Sequence, residues 1–515
     1  MYYIHSFTMS SGIKKAVRSW SGVLVITVVM RPDAFSCTHN CAYCPDERKK
    51  KGAKYDMPRS YLSSEPAVMR AMECDFDTVK QVHKRLDQLK SLGHTIDKLE
   101  IIVLGGTFSE YPREYRESFM TDLFYAANTY DSTCEYDKQK LSLQHEQTMN
   151  ISAKYKIIGI SIETRPDSIC KQELRRLRMY GVTRVQLGIQ HTDNWLLESL
   201  NRGHTAEDGV RAIRLLKNNG FKVDIHVMPD LPGATPEGDK VMLEKVITHQ
   251  DYIPDYMKIY PCLDVEYTQI REWKQKKLWT PYAETNYKDL VDVIIHAKRL
   301  CPEYIRFNRI QRDFPEENEN RIGYASETIK SNLRQLVQDE CKRVGVSCQC
   351  IRCREIKKDT YSAFWFRVEK YEASGGKEYF ISAVTDTNRL LGFLRLRFNG
   401  SCDEVYFPEL KKCGLIRELH VYGFISSVDG NKNGQAQHIG IGKILICIAK
   451  IISLWNGYRS MAVISGVGVR GYYKRIGFQL KKPYGYMILY MNPVLSYISA
   501  FWILVCYALK KMFRL

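Results

Sequence analysis

Along the first two-thirds of the chain, short apolar runs alternate with stretches whose apolar residues recur every three or four positions. The runs at 23–30, 99–104, 157–162, 185–187, 223–227, 256–259 and 304–307 read as strands. Amphipathic stretches at 78–92, 171–180, 206–219 and 287–300 read as helices between them. Strands separated by helices predict a parallel sheet, and the regular repetition predicts an α/β fold with a full or partial β/α barrel over 21–345. Chemistry in such barrels gathers at the C-terminal ends of the strands. A further amphipathic helix is expected over 325–344. From residue 364 the texture changes to short strands at 364–371, 379–384, 390–398 and 413–421, a helix over 440–454, and strands at 461–464 and 487–491. This half reads as a second, α+β domain over 359–491, with a linker at 346–358 and a short basic segment at 1–20.

Residues 494–509 carry no charge, and Lys510, Lys511 and Arg514 follow them. About 20 apolar residues cross a bilayer, so 494–515 is of marginal spanning length. Trp502 and Tyr507 suit an interface. The expectation is a C-terminal tail anchor that holds a cytoplasmic body on an organelle membrane, the mitochondrial outer membrane or the ER. A helix packed on the domain or on a partner is the alternative.

A chain of 515 residues, 44% apolar and 26% charged, has enough material for two or three cores. Its net charge of +18 attracts polyanions, RNA among them. No apolar leader precedes the first strand, so the 16 cysteines read as metal ligands in a reducing compartment rather than as a secreted disulfide framework.

Cys37, Cys41 and Cys44 follow the first strand in a CxxxCxxC spacing. Three thiolates on one loop suit a [4Fe–4S] cluster whose fourth iron stays open to a small molecule. With the aromatic Tyr43 just before the last cysteine, this is the radical S-adenosylmethionine (SAM) pattern; a zinc site lacking one ligand is the plainer reading. Gly105 and Gly106 close the strand at 99–104 and let a backbone approach the SAM methionyl group, or form a turn. Polar stretches at 163–167, 188–190 and 226–233 hold ribose hydroxyls or cap helices.

Cys348, Cys350 and Cys353 are too close for easy mutual disulfides and read as zinc ligands, with a fourth from elsewhere. Gln437, Gly440 and Gly442 form a QxxGxG motif whose amides, at a helix N-terminus, suit a pyrophosphate. Set between the 417–421 segment and YYKRIGF at 472–478, it points to a GCN5-type (GNAT) acetyl-CoA fold. A direct acetyl transfer needs a base, for which Glu418 and His420 are candidates.

Together these motifs resemble the family of the elongator catalytic subunit, which joins a radical SAM domain to an acetyltransferase domain. LGGTF at 104–108, IETRPD at 162–167, NRGHT at 201–205, MPDLPG at 228–233, RELHVYG at 417–423 and VISGVG at 463–468 carry the likeness, which runs from 17 to 490. The resemblance implies an enzyme that modifies wobble uridines of transfer RNA at carbon 5. In that family a cluster on Cys37, Cys41 and Cys44 cleaves SAM to a radical. The radical takes hydrogen from the methyl group of acetyl-CoA, the carbon radical adds to uracil, and hydrolysis leaves a carboxymethyl group. Acetyl-CoA contacts are implied for Lys98, Glu418, Leu419, His420, Val421, Ile441, Gly442, Lys443 and Tyr473, with a catalytic role for Tyr473. Transfer RNA and the other elongator subunits are the implied partners. The rival reading is a histone or tubulin lysine acetyltransferase with a structural cluster. Three features depart from the family: the compact cysteine spacing, charged residues at 46–51 in place of a diglycine, and a shortened N-terminal helical region.

Overall fold

The computed structural model describes residues 22–32, 37–47, 54–131, 139–312, 333–357, 361–422 and 440–498. The basic segment at 1–20 and residues 325–332, 437–439 and 499–515 lie outside the described residues.

Seven parallel strands follow one another in chain order: β1 (Val23–Val29), β2 (Lys98–Leu104), β3 (Lys156–Thr164), β4 (Arg184–Gln190), β5 (Lys222–Val227), β6 (Tyr256–Ile259) and β7 (Arg306–Arg309). They form an open half-barrel. Successive side chains of a strand face opposite sides, and here the two sides differ in chemistry. Leu99, Ile101, Val103, Val185, Leu187, Val223 and Ile225 are buried in the hydrophobic core. Lys98, Glu100, Arg184, Gln186, Lys222 and Asp224 line a cavity on the inner face. That polar inner set explains why the apolar run at 185–187 understated β4.

The helices that connect the strands begin where sequence says they should. The helix Ala206–Asn218 opens on a capping box between Thr205 and Asp208 and buries Ala212, Ile213 and Leu216.

The second sheet is mixed, in the order β13-β14-β12-β11-β10-β9-β8. It comprises β8 (Phe364–Ala373), β9 (Gly376–Thr385), β10 (Leu390–Asn399), β11 (Gly414–Val421), β12 (Ser460–Val463), β13 (Gln479–Lys481) and β14 (Tyr486–Tyr490). The helix Ile441–Trp455 packs on it through Ile444, Leu445, Ala449 and Ile452. Among the described strands of this sheet only β11 and β12 pair in parallel, over Gly414 to Ile416 against Met461 to Val463. β12 ends there, while β11 runs on to Val421.

A dry ionic network joins the two sheets. Arg417 places Nη1 and Nη2 each 2.6 Å from the two oxygens of Asp255, the residue before β6, and Nη2 2.9 Å from Glu378. Arg397 Nη1 donates to Glu378 at 3.0 Å, and Arg395 Nη1 donates to the Tyr304 carbonyl at 2.7 Å. Lys217 lies 3.8 Å from Glu378. None of Asp255, Glu378, Lys217, Arg395, Arg397 and Arg417 is more than 1% exposed. Charges taken so far from water persist only when paired in good geometry, so the network fixes how the halves meet.

The expected tail anchor is corrected. No helix among the described residues is long and apolar enough to cross a membrane. The helix that starts at Pro493 is described only to Ile498, and Trp502 and Tyr507 lie outside the described residues.

Candidate active site

The loop after β1 holds Cys37, Cys41 and Cys44 as free thiols, Cys41 buried and the others half-buried. Cys37 Sγ lies 3.6 Å from Thr107 Oγ1, and Arg202 Nη1 lies 3.6 Å from Cys41 Sγ. Burial and the neighbouring Cys41 push the Cys44 thiol up, while Arg59 works in the opposite direction. Two guanidinium groups beside three thiols suit ligands that become thiolates, which is the donor set a cluster needs. The NRGHT segment closes on this loop: a Cβ on Gly203 would lie 3.0 Å from His39 Nδ1. Arg202 Nη2 also donates to the Gly188 carbonyl at 2.7 Å. His204, 3.1 Å from that carbonyl, has its pKa lowered to about 4 by burial and by Arg202.

Gly105 and Gly106 have φ of +149° and +85°. A Cβ on Gly106 would stand 2.8 Å from the Arg59 carbonyl oxygen, so glycine is required there by the neighbouring backbone.

One continuous cavity of about 1990 Å³ runs through the half-barrel. At the C-terminal ends of the strands its wall includes Tyr43, Glu163, Gln190 and His226. Tyr43 Oη and Gln190 Oε1 are buried without a hydrogen-bond partner among the described residues. A polar line continues along the wall. Tyr61 Oη donates to Glu163 at 2.7 Å, His226 Nδ1 is 3.6 Å from Glu163, and His226 Nε2 is 3.2 Å from Gln186 Oε1, which also receives the Lys258 ammonium. Burial and then Lys258 hold His226 well below its usual pKa, so it stays neutral.

At the N-terminal ends the same cavity meets Lys98, Glu100 and the second sheet, where Glu418, Leu419, His420, Val421, Gly440, Gly442, Lys443 and Tyr473 line it. Glu418 accepts from Tyr256 Oη and from Arg395 Nε at 2.9 Å. Burial alone would raise its pKa, but Lys222 and Arg395 hold it below the usual range. His420 Nε2 and Ser465 Oγ are buried with no hydrogen-bond partner among the described residues, as atoms that meet a ligand are. Gly440, with φ +81°, starts the helix Ile441–Trp455, and a Cβ on Gly442 would lie 3.2 Å from Tyr472 Oη. Burial pushes the Tyr473 phenol up.

The structure therefore gathers most of the expected acetyl-CoA set around one cavity, Lys98 from the half-barrel and the rest from the second sheet. Ile441 is the exception, fully buried in the core and absent from the cavity wall. Cys37, Cys41, Cys44, Gly105 and Gly106 are likewise not among the residues that line it, whereas Tyr43 is.

The sulfurs of Cys348, Cys350 and Cys353 lie within 4.8 Å of one another. Hydrogen bonds from Cys348 and Cys353 pull the Cys350 thiol well below its usual pKa. Cys301, also buried, shares a hydrogen bond with Cys348. Nothing in the sequence singles out this further thiol, because a lone cysteine has no spacing to read.

The fold and the cysteine loop agree with the family comparisons: residues 34–245 match the Radical SAM superfamily and residues 254–343 match the Radical_SAM C-terminal domain. The class is that of the radical SAM proteins, whose members carry a [4Fe–4S] cluster and bind SAM. Over 482 residues the chain is 36% identical to the tRNA uridine(34) acetyltransferase of Methanocaldococcus infernus, covering 90% of this chain and 85% of the relative. Its bacterial counterpart from Dehalococcoides mccartyi is 35% identical over 487 residues, which is 93% of this chain and all of the relative. Elongator complex protein 3 of Homo sapiens is 36% identical over 489 residues, 91% of this chain and 85% of the relative. The solved structure of archaeal Methanocaldococcus infernus Elp3 with an N-terminal deletion superposes with a TM-score of 0.75 at 33% identity, over 92% of this chain and 100% of that one. The chain belongs to the elongator complex protein 3 family.

Proposed function

We propose that the protein is a tRNA wobble-uridine carboxymethyl synthase that takes its two carbons from acetyl-CoA. The observation that carries this reading is the single cavity joining the cysteine-loop end of the half-barrel to the wall of the second sheet. A lysine acetyltransferase with a structural cluster has no use for such a passage.

In this reading residues 21–345 form the radical SAM domain, 346–358 a zinc-binding linker and 359–491 a GNAT acetyltransferase domain. Cys37, Cys41 and Cys44 would hold the cluster, and Tyr43, Gly105 and Gly106 would frame SAM. When bound, these groups supply a radical able to take hydrogen from an unactivated methyl carbon, which no side-chain base removes. Arg202 and Arg59 offset the thiolate charge. Unpaired by β12, the segment 418–421 of β11 would take the pantetheine arm, and the amides at Gly440, Gly442 and Lys443 suit the pyrophosphate. Lys98 and Tyr473 would line the acetyl end. Zinc would take Cys348, Cys350 and Cys353, with Cys301 as the fourth ligand. The relatives named for tRNA uridine(34) and the net charge of +18 support transfer RNA as substrate, and other elongator subunits as partners where present.

The test uses acetyl-CoA deuterated in the methyl group, with SAM, reductant and transfer RNA under anaerobic conditions. Deuterium should appear in 5′-deoxyadenosine. Modified uridine formed without any transfer of deuterium overturns the reading.

A further inference from the structure

We propose that His420 Nε2 is the base that activates water to hydrolyse the acyl thioester held at the second sheet. The proposal rests on the acetyl-CoA reading above and deepens it, because carboxymethyl formation requires the thioester to be opened and nothing so far assigns that step.

Position comes first. His420 lies on the part of β11 that runs on past the end of its partner β12, on the cavity wall. Its ring is held from two sides, stacked on Phe393 at 6.1 Å between centroids and tilted against Tyr422 at 4.3 Å. Those contacts orient the imidazole, yet Nε2 is buried without a hydrogen-bond partner among the described residues. A structural histidine in a core normally has both nitrogens satisfied, so an unpaired one beside a cavity marks a place for a ligand.

The charge around it is suited to a base. Glu418 on the same strand, Glu100 on β2 and Glu355 favour the imidazolium, whereas Arg306 on β7 opposes it. Burial outweighs the carboxylates and lowers the pKa from 6.5, so the ring is neutral near pH 7 and can accept a proton. The carboxylates then stabilise the imidazolium that forms in the step.

The chemistry balances within the site. Water oxygen bonds to the thioester carbonyl carbon while Nε2 takes one water proton. The carbon–sulfur bond then breaks, the sulfur leaves as a thiolate, and the imidazolium returns the proton to it. The products are a carboxylic acid and free CoA thiol, and no oxidant or reductant takes part. Ser465 Oγ, also buried and unpaired on the same wall, is a donor available to the carbonyl oxygen.

The experiment compares the full chain with the H420Q variant. Acetyl-CoA affinity is measured by calorimetry, and thiol release from acetyl-CoA in the presence of transfer RNA is followed across pH. At saturating acetyl-CoA, hydrolysis should fall about 100-fold or more in H420Q, a loss of turnover that weaker binding alone does not produce. The wild-type rate should rise through a pKa below 6.5 and level off, and that rise should be missing in the variant. Independently, ¹³C-histidine spectra of the wild type should contain one signal, absent in H420Q, that titrates below 6.5 and moves when CoA alone is added. Hydrolysis at the wild-type rate in H420Q, or a His420 signal that ignores CoA, overturns the proposal while leaving acetyl-CoA binding intact. A wild-type protein that binds no acetyl-CoA overturns the underlying site reading as well.

Discussion

Tyr256, the first residue of β6, donates its hydroxyl hydrogen to the carboxylate of Glu418 on β11, so the half-barrel itself completes the coordination of an acid in the second sheet. Arg395 holds the other oxygen at 2.9 Å. Replacing Tyr256 with Phe removes one donor to a buried anion, worth about 1.5–3 kcal/mol. Acetyl-CoA affinity measured by calorimetry should weaken by tenfold or more, while the iron content is unchanged.

The pairing of Arg417 with Asp255 leads to a stability prediction. Asp255→Asn takes the Asp255 charge away from Arg417 and Arg395, leaving them Glu378 and Glu418 respectively, at side chains that are fully buried. Breaking a buried pair from one side costs about 3–5 kcal/mol. The urea midpoint should fall accordingly, and a midpoint within experimental error of wild type would show that the network does not hold the halves together.

Lys217 gives the network a pH signature. Burial lowers its pKa to about 8, from 10.5. Between pH 8 and 10.5 the unfolded chain therefore holds a proton on this lysine that the folded chain has released, so this group makes stability rise with pH across that window. Lys217→Met should lose the rise and should be more stable than wild type at pH 7. Denaturant titrations of both proteins at pH 7, 8, 9 and 10 measure the difference.

Cys41→Ala removes the thiol that Arg202 faces. Iron, sulfide and modified uridine should all disappear together in anaerobically prepared protein. Modification persisting without iron contradicts the proposed chemistry.

At the other end of the passage, Gly442→Val places a branched side chain where even a Cβ lies 3.2 Å from Tyr472 Oη. Acetyl-CoA binding should be lost with the iron signal retained. Loss of both signals would make Gly442 a folding residue instead.

Much of the architecture was legible because the helices and the outer strand faces follow apolar periodicity. The run at 99–104 became β2 (Lys98–Leu104), and 157–162 became β3 (Lys156–Thr164). What escaped has a common cause. β4 was read short because Arg184, Gln186 and Gln190 face the cavity and interrupt the apolar run. Tyr256, Arg395 and Cys301 owe their roles to partners distant along the chain, and nothing near them in sequence announces it. The tail is a different case: an uncharged run of marginal length with aromatic residues near its end fits a spanning helix, but a helix packed on protein shares those features.

The salt-bridged seam also limits how this molecule can be divided. Cut in the linker, the front piece would expose Asp255 and Lys217 with neither the arginines nor Glu378 opposite them, and the rear piece would leave Arg395, Arg397 and Arg417 to share only Glu378 and Glu418. Neither fragment inherits a finished surface, so the two halves are expected to travel through expression, purification and evolution as one indivisible unit.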